Sequence, residues 1–118
     1  MTDRELLELA AKAASYPIEV RTEWIEVQIL GQGKPEKVAG ESHLYLYGEL
    51  WNPLTDDGDA LRLAVKLQMQ IDMRDPETHL YVEGCAQRVD QYHKDNNPYT
   101  ATRRAIVRAA AEIGRGME

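Results

Sequence analysis

The chain has 118 residues, 43% apolar and 29% charged, and a net charge of −6; that length suits one domain, residues 1–118, with a core that needs no metal or disulfide. The one cysteine, Cys85, excludes an internal disulfide and fits a reducing compartment. Negative charge argues against a general nucleic-acid binder, which needs a cationic footprint, and no apolar run has the length of a membrane span or the setting of a signal peptide, so the expected location is cytoplasmic.

Thr2 and Glu5 have the spacing of a capping box, predicting a helix from there to about residue 14 that ends at Tyr16-Pro17. Leu6, Leu9, Ala10 and Ala13 form its apolar stripe, with Leu7, Ala11 and Ala14 beside it. Residues 18–30 read as extended. Ile18, Val20, Thr22 and Trp24 share one face, and then Ile25, Val27 and Ile29 continue the apolar series on the other. A period-2 pattern cannot change face without an irregularity, so a bulge or break is expected near Trp24-Ile25, with the regular strand at 24–30. Residues 31–41 carry Gly31, Gly33, Gly40 and Pro35 and read as a hairpin loop. They lack the spacing of a phosphate-binding P-loop. Residues 42–47 form the next strand, with Leu44 and Leu46 on one face and Tyr45 and Tyr47 on the other. Gly48-Glu49 reads as a tight turn or bulge before Leu50-Trp51.

Asn52-Pro53 is a turn. Thr55 stands where an N-cap belongs, and Asp56, Asp57 and Asp59 occupy a first helical turn, where the macrodipole favours negative charge. The pairs Leu61/Val65, Ala60/Ala64 and Leu63/Leu67 have i,i+4 spacing. They predict a well-buried helix over 56–67 with Leu61 and Val65 in the core. Residues 68–84 read as a hairpin turning at 75–78, which sets Met73 opposite Leu80 and Ile71 opposite Val82. Its other face, with Asp72, Arg74, His79 and Tyr81, is wetter. The spacing of Val89 and Tyr92 suits a short helix. Asn97 can cap a helix with Pro98 at its first position, or the helix can begin at Thr100; its body, 102–113, packs through Ile106, Ala110 and Ile113. Arg103, Arg104 and Arg108 form an outward basic stripe, read as a solvated face with a phosphate or acidic-protein contact as the alternative, Gly114 suits the residue just past the helix end, and 115–118 should fray. The order α-β-β-α-β-β-α, with four main strands in a mainly antiparallel sheet, makes this an α+β protein.

The run Trp51-Asn52-Pro53-Leu54-Thr55-Asp56-Asp57-Gly58-Asp59-Ala60-Leu61, leading into an apolar helix, resembles the central motif of the phage ABA sandwich domain family of small phage and prophage proteins. An alanine-rich helix near the C-terminus, here 102–113, is a second shared feature. The resemblance is loose over 44–113 and close only at the motif. It implies a single α-β-α layered domain and a phage or prophage origin, and it implies no activity.

His43, His79 and His93 do not have metal-ligand spacing, and no cysteine cluster accompanies them; each reads as an ordinary polar residue. Cys85 could serve as a nucleophile with His79 or His93 as base, against the blander reading of a buried thiol. Glu83 with Asp90, or Asp72 with Glu83, could form an acid–base pair. The aspartates near residue 57 leave open a small enzyme or metal-dependent hydrolase, although an EF-hand ligand series is absent and the helix dipole accounts for them. The favoured reading is a phage or prophage accessory protein, without cofactor or metal, that binds a macromolecule of host or phage, a protein rather than a nucleic acid. Self-association through strand edges stays open. Tyrosines with acidic neighbours give contact area and steer basic partners, which nominates Tyr45, Tyr47, Asp56 and Asp57 as contact residues.

Overall fold

A computed structural model describes residues 1–27, 36–83 and 88–117. Among the described residues, three α-helices and two three-stranded antiparallel sheets give an α+β fold in the expected order. The expected four-stranded sheet is replaced by these two sheets. The chain divides into two compact units, Met1–Pro17 with Asn52–Glu118, and Ile18–Trp51.

In the first unit, α1 (Asp3–Ala13) begins at the capping box: Thr2 accepts from the Glu5 N–H and Glu5 bonds back to the Thr2 N–H. Helix α2 spans Asp57–Lys66, and Asp56, not Thr55, is its N-cap. Helix α3 (Pro98–Arg115) starts at the first of the two expected positions, with Pro98 in its first turn and the Asn97 side chain accepting from the N–H groups of Tyr99 and Thr100. Both α1 and α2 pack on α3, which lies on the sheet β4 (Met69–Arg74), β5 (Glu77–Val82), β6 (Val89–Tyr92). An element surrounded in this way must be small and apolar around most of its circumference. Ala101, Ala105, Ile106, Val107, Ala109, Ala110 and Ala111 are accordingly all buried. They face a similar surface on α1, made by Leu6, Leu7, Ala10 and Ala11.

Gly114 does not terminate α3. It lies inside the helix, where a Cβ would run into the Leu9 backbone oxygen of α1; Gly116 is the C-cap, and the helix includes Arg115. Leu61 and Val65, expected in the core, are 63% and 68% exposed. Helix α2 packs on α3, and the apolar residues it buries are the narrow stripe Ala60, Leu63 and Ala64. Apolar residues all round a helix do not reveal which stripe is used.

The β4–β5 hairpin turns on Asp75-Pro76, whose peptide bond is cis. The register is Met73↔Thr78, Ile71↔Leu80 and Met69↔Val82, two residues away from the expectation. An even shift preserves the faces, so the apolar and wet faces are as read. The third strand, β6, takes the place of the helix suggested by Val89 and Tyr92.

In the second unit, β1 (Ile18–Val27) pairs with β2 (Glu36–Leu46), and β2 with β3 (Glu49–Leu50). The expected irregularity is present: register shifts between Thr22↔Ser42 and Trp24↔Ala39. The extra residue sits in β2, at Gly40-Glu41, not in β1. Tyr47 and Gly48 form the turn into β3 with φ of 52° and 82°, the backbone of a tight two-residue hairpin.

Candidate functional site

The aspartate cluster is built into the fold. Asp56 Oδ2 accepts from the Asp59 N–H at 2.8 Å, capping α2. Asp59 is buried and accepts from the Asn52 N–H at 2.9 Å and from Arg62 at 2.8 Å. Arg62 gains an upward pKa shift, chiefly from its hydrogen bond to Asp59. Asp57 pairs with Arg103 at 2.6 Å, while Arg103 Nε donates to the Leu54 carbonyl at 2.9 Å. A cation at this cluster would have to displace two guanidinium groups and a helix cap. The arginine stripe of α3 is thus not a solvated face. Arg104 reaches Asp3 at 3.1 Å, and Arg108 reaches the Asp90 carbonyl at 3.1 Å and Gln91 Oε1 at 2.7 Å. The three arginines fasten α3 to the start of α2, to α1 and to β6.

Of the nominated tyrosines, Tyr47 is exposed on its turn and Tyr45 is half-buried, with the Arg21 guanidinium 4.4 Å from its ring centroid. Neither is core. Tyr45 lines an open hollow with Arg21, Thr22, Glu23, His43 and Leu50. Asp56 and Asp57 belong to the first unit and are already engaged by the cap and by Arg103.

Thr78, His93 and Asp75 lie in the order of a hydrolase triad. Thr78 Oγ1 is 2.7 Å from His93 Nε2, and His93 Nδ1 is 3.5 Å from Asp75. A nucleophile must meet its substrate, and Thr78 has no exposed surface, its hydroxyl lying 3.2 Å from that of Thr102. This network joins β5, the residue that follows β6, and α3, and it makes His93 a buried structural residue. Cys85 lies outside the described residues.

The surface that gathers exposed chemistry is the outer face of β4–β5–β6, opposite the Thr78, Leu80 and Val82 side chains. Strand register sets it out in rows. Gln70 and Tyr81 lie beside Arg88, just ahead of β6; Asp72, His79 and Asp90 form the middle row; Arg74, Glu77 and Tyr92 form the last. His79 Nδ1 is 2.6 Å from Asp90 Oδ1 and its Nε2 is 3.9 Å from Glu77. Arg88 Nε lies 3.0 Å from Asp90 and Arg74 Nε 3.0 Å from Asp72. The hydrogen bond from His79, helped by Arg88, holds the Asp90 carboxyl below its ordinary pKa. Gln70, Ile71, Asp72, His79, Tyr81 and Arg88 line a shallow hollow. Chemically, the face offers an imidazole oriented by a carboxylate, tyrosine rings, and arginines each balanced by an acid. Sequence reading found the wet face but missed the His79–Asp90 pair, because β6 was not recognised. The alternation of Asp90 and Tyr92 with Val89 and Gln91 was the available signal.

No family model matches the chain, and neither a curated protein nor a solved structure does.

Proposed function

We propose that this is a phage or prophage accessory protein that works in the cytoplasm by binding a protein partner through the outer face of β4–β5–β6. The observation that carries the reading is the composition of that face: exposed Tyr81 and Tyr92 among Asp72, Arg74, Glu77, His79, Arg88 and Asp90, in strands backed by α3. Tyrosine and arginine dominate the energetics of protein interfaces. Because Asp72 and Asp90 balance Arg74 and Arg88, the face lacks the cationic excess that a nucleic-acid backbone requires. The phage assignment rests on the motif resemblance at residues 51–61.

The test is affinity capture from a bacterial host with two variant sets. Tyr81→Ala with Arg88→Glu should abolish recovery of the partner that the wild type retains, with circular dichroism unchanged. Tyr45→Ala with Tyr47→Ala should leave recovery intact. The reverse result moves the contact surface to the Tyr45–Tyr47 turn. Turnover of an ester or nucleotide substrate that is lost in His79→Ala would overturn the binding reading and favour catalysis by the His79–Asp90 pair.

A further inference from the structure

We propose that two copies of this chain associate by antiparallel pairing of β1 with β1 across a two-fold axis at Thr22. Strand β1 is the terminal strand of its sheet, paired by β2 on one edge and by no other described strand. An open edge of this length is a template for strand addition, and proteins that must stay apart blunt such edges with charged side chains, lysine above all, with proline or with bulges. Between Ile18 and Val27 there is no lysine or proline, the charged residues Glu19, Arg21, Glu23 and Glu26 are of both signs, and the bulge in this hairpin lies in β2, away from the free edge. Val20 and Trp24 are 50% and 64% exposed, and both lie on the Thr22 side of the strand. Arg21 and Glu23 are exposed on the other side.

Symmetry restricts the registers. A two-fold axis normal to the sheet keeps each side chain on its own face, so the axis must pass beside a residue and not between two. Centred on Arg21, the pairing opposes Arg21 to itself and Glu19 to Glu23, which are like charges. Centred on Glu23, it opposes that carboxylate to itself. Centred on Val20, it matches Glu19 with Arg21 but overlaps only Ile18 to Thr22, leaving Trp24 outside the strand. Centred on Thr22, it runs from Ile18 to Glu26. Val20 then lies opposite Trp24 twice and Arg21 opposite Glu23 twice. Aromatic with β-branched, and opposite charges, are the favourable cross-strand pairs. Glu23 makes no ion pair among the described residues, whereas Arg21 is held by Glu19 at 3.2 Å and stacked on Tyr45. Tyr45 belongs to β2, on the paired side of β1, so the guanidinium has to swing from that stack toward the free edge to meet Glu23 of the second copy. The occupant that fits this edge is a second copy of the chain.

Light scattering and native mass spectrometry of the whole chain test the proposal. The wild type should dimerise in a concentration-dependent manner. Arg21→Glu and Glu23→Arg should each weaken the dimer by at least about tenfold, since each creates like-charge pairs across the axis. The double variant with both changes should recover wild-type dimerisation, and an equimolar mixture of the two single variants should form the heterodimer in preference to either homodimer. A wild type that stays monomeric at high concentration overturns the proposal. So do single variants that dimerise as the wild type does, a double variant without recovery, or a mixture that shows no heterodimer preference.

Discussion

Gly114→Ala should destabilise the protein even though alanine is the better helix former. On a free helix the change would stabilise by up to about 1 kcal/mol through backbone entropy. Here the new Cβ would run into the Leu9 backbone oxygen and lie 2.8 Å from the Leu9 carbonyl carbon. The obstacle is the backbone of α1, not the end of a flexible side chain, so relief requires α1 to move away from α3. That movement loosens an interface where Ala10, Ala11, Ala110 and Ala111 are at most 1% exposed. Overpacking costs about 1–3 kcal/mol, and a collision with backbone belongs at the upper end of that range; with a propensity gain of about 1 kcal/mol set against it we expect a net loss of about 2 kcal/mol. For a chain of this size that lowers Tm by about 8 °C. Urea unfolding with wild type, Gly114→Ala and Gly116→Ala measures it. The Gly116 variant is the control, because its Cβ would meet nothing nearer than 3.6 Å and should stay within about 0.5 kcal/mol of wild type. A Gly114→Ala protein as stable as wild type would refute backbone contact between α1 and α3.

Leu63→Ala should cost about 2–5 kcal/mol, whereas Leu61→Ala and Val65→Ala should each stay within about 0.5 kcal/mol in the same urea assay; equal costs would contradict the burial pattern of α2. Arg103→Ala should cost about 1–2 kcal/mol, because it removes a donor from the Leu54 carbonyl as well as the partner of Asp57. A double-mutant cycle with Asp57→Asn should give a coupling of no more than about 1 kcal/mol, the aspartate being solvent-screened. Because the Asp90 pKa is lowered from its ordinary 3.8, its contribution to stability is present above that value and is lost as pH falls through the lowered one. A carboxyl-carbon NMR titration should place the Asp90 midpoint below 3.8 and His79→Ala should raise it; a midpoint unmoved by that substitution would remove His79 as the cause.

Local chemistry was readable from the chain; choices made by distant partners were not. The Thr2–Glu5 box and the Asn97-Pro98 start depend on residues within a few positions of one another, whereas the irregularity expected near Trp24-Ile25 sits across the hairpin at Gly40-Glu41. The outer face of β4–β5 was legible because its alternation survives an even register error. Leu61 and Val65 were misplaced because α2 is apolar around most of its circumference, and only the position of α3 selects Leu63. Arg103, Arg104 and Arg108 read as a solvated stripe because their partners Asp57, Asp3 and Gln91 are far away in sequence or on an unrecognised strand. Gly114 looked like a helix end because nothing in the sequence indicates that the backbone of Leu9 lies against it. The candidate face depends on β6 bringing Asp90 to His79, a pairing that no local pattern specifies.

The central claim is that β4–β5–β6 presents its outer face for recognition while its inner face holds α3. Amide NMR of the labelled chain, alone and with the captured partner, tests it most directly. The account predicts that partner binding shifts and protects amides of 70–74, 77–81 and 88–92 while those of 45–50 keep their free positions. Unchanged signals on β4–β6, with shifts confined to 45–50, would contradict it.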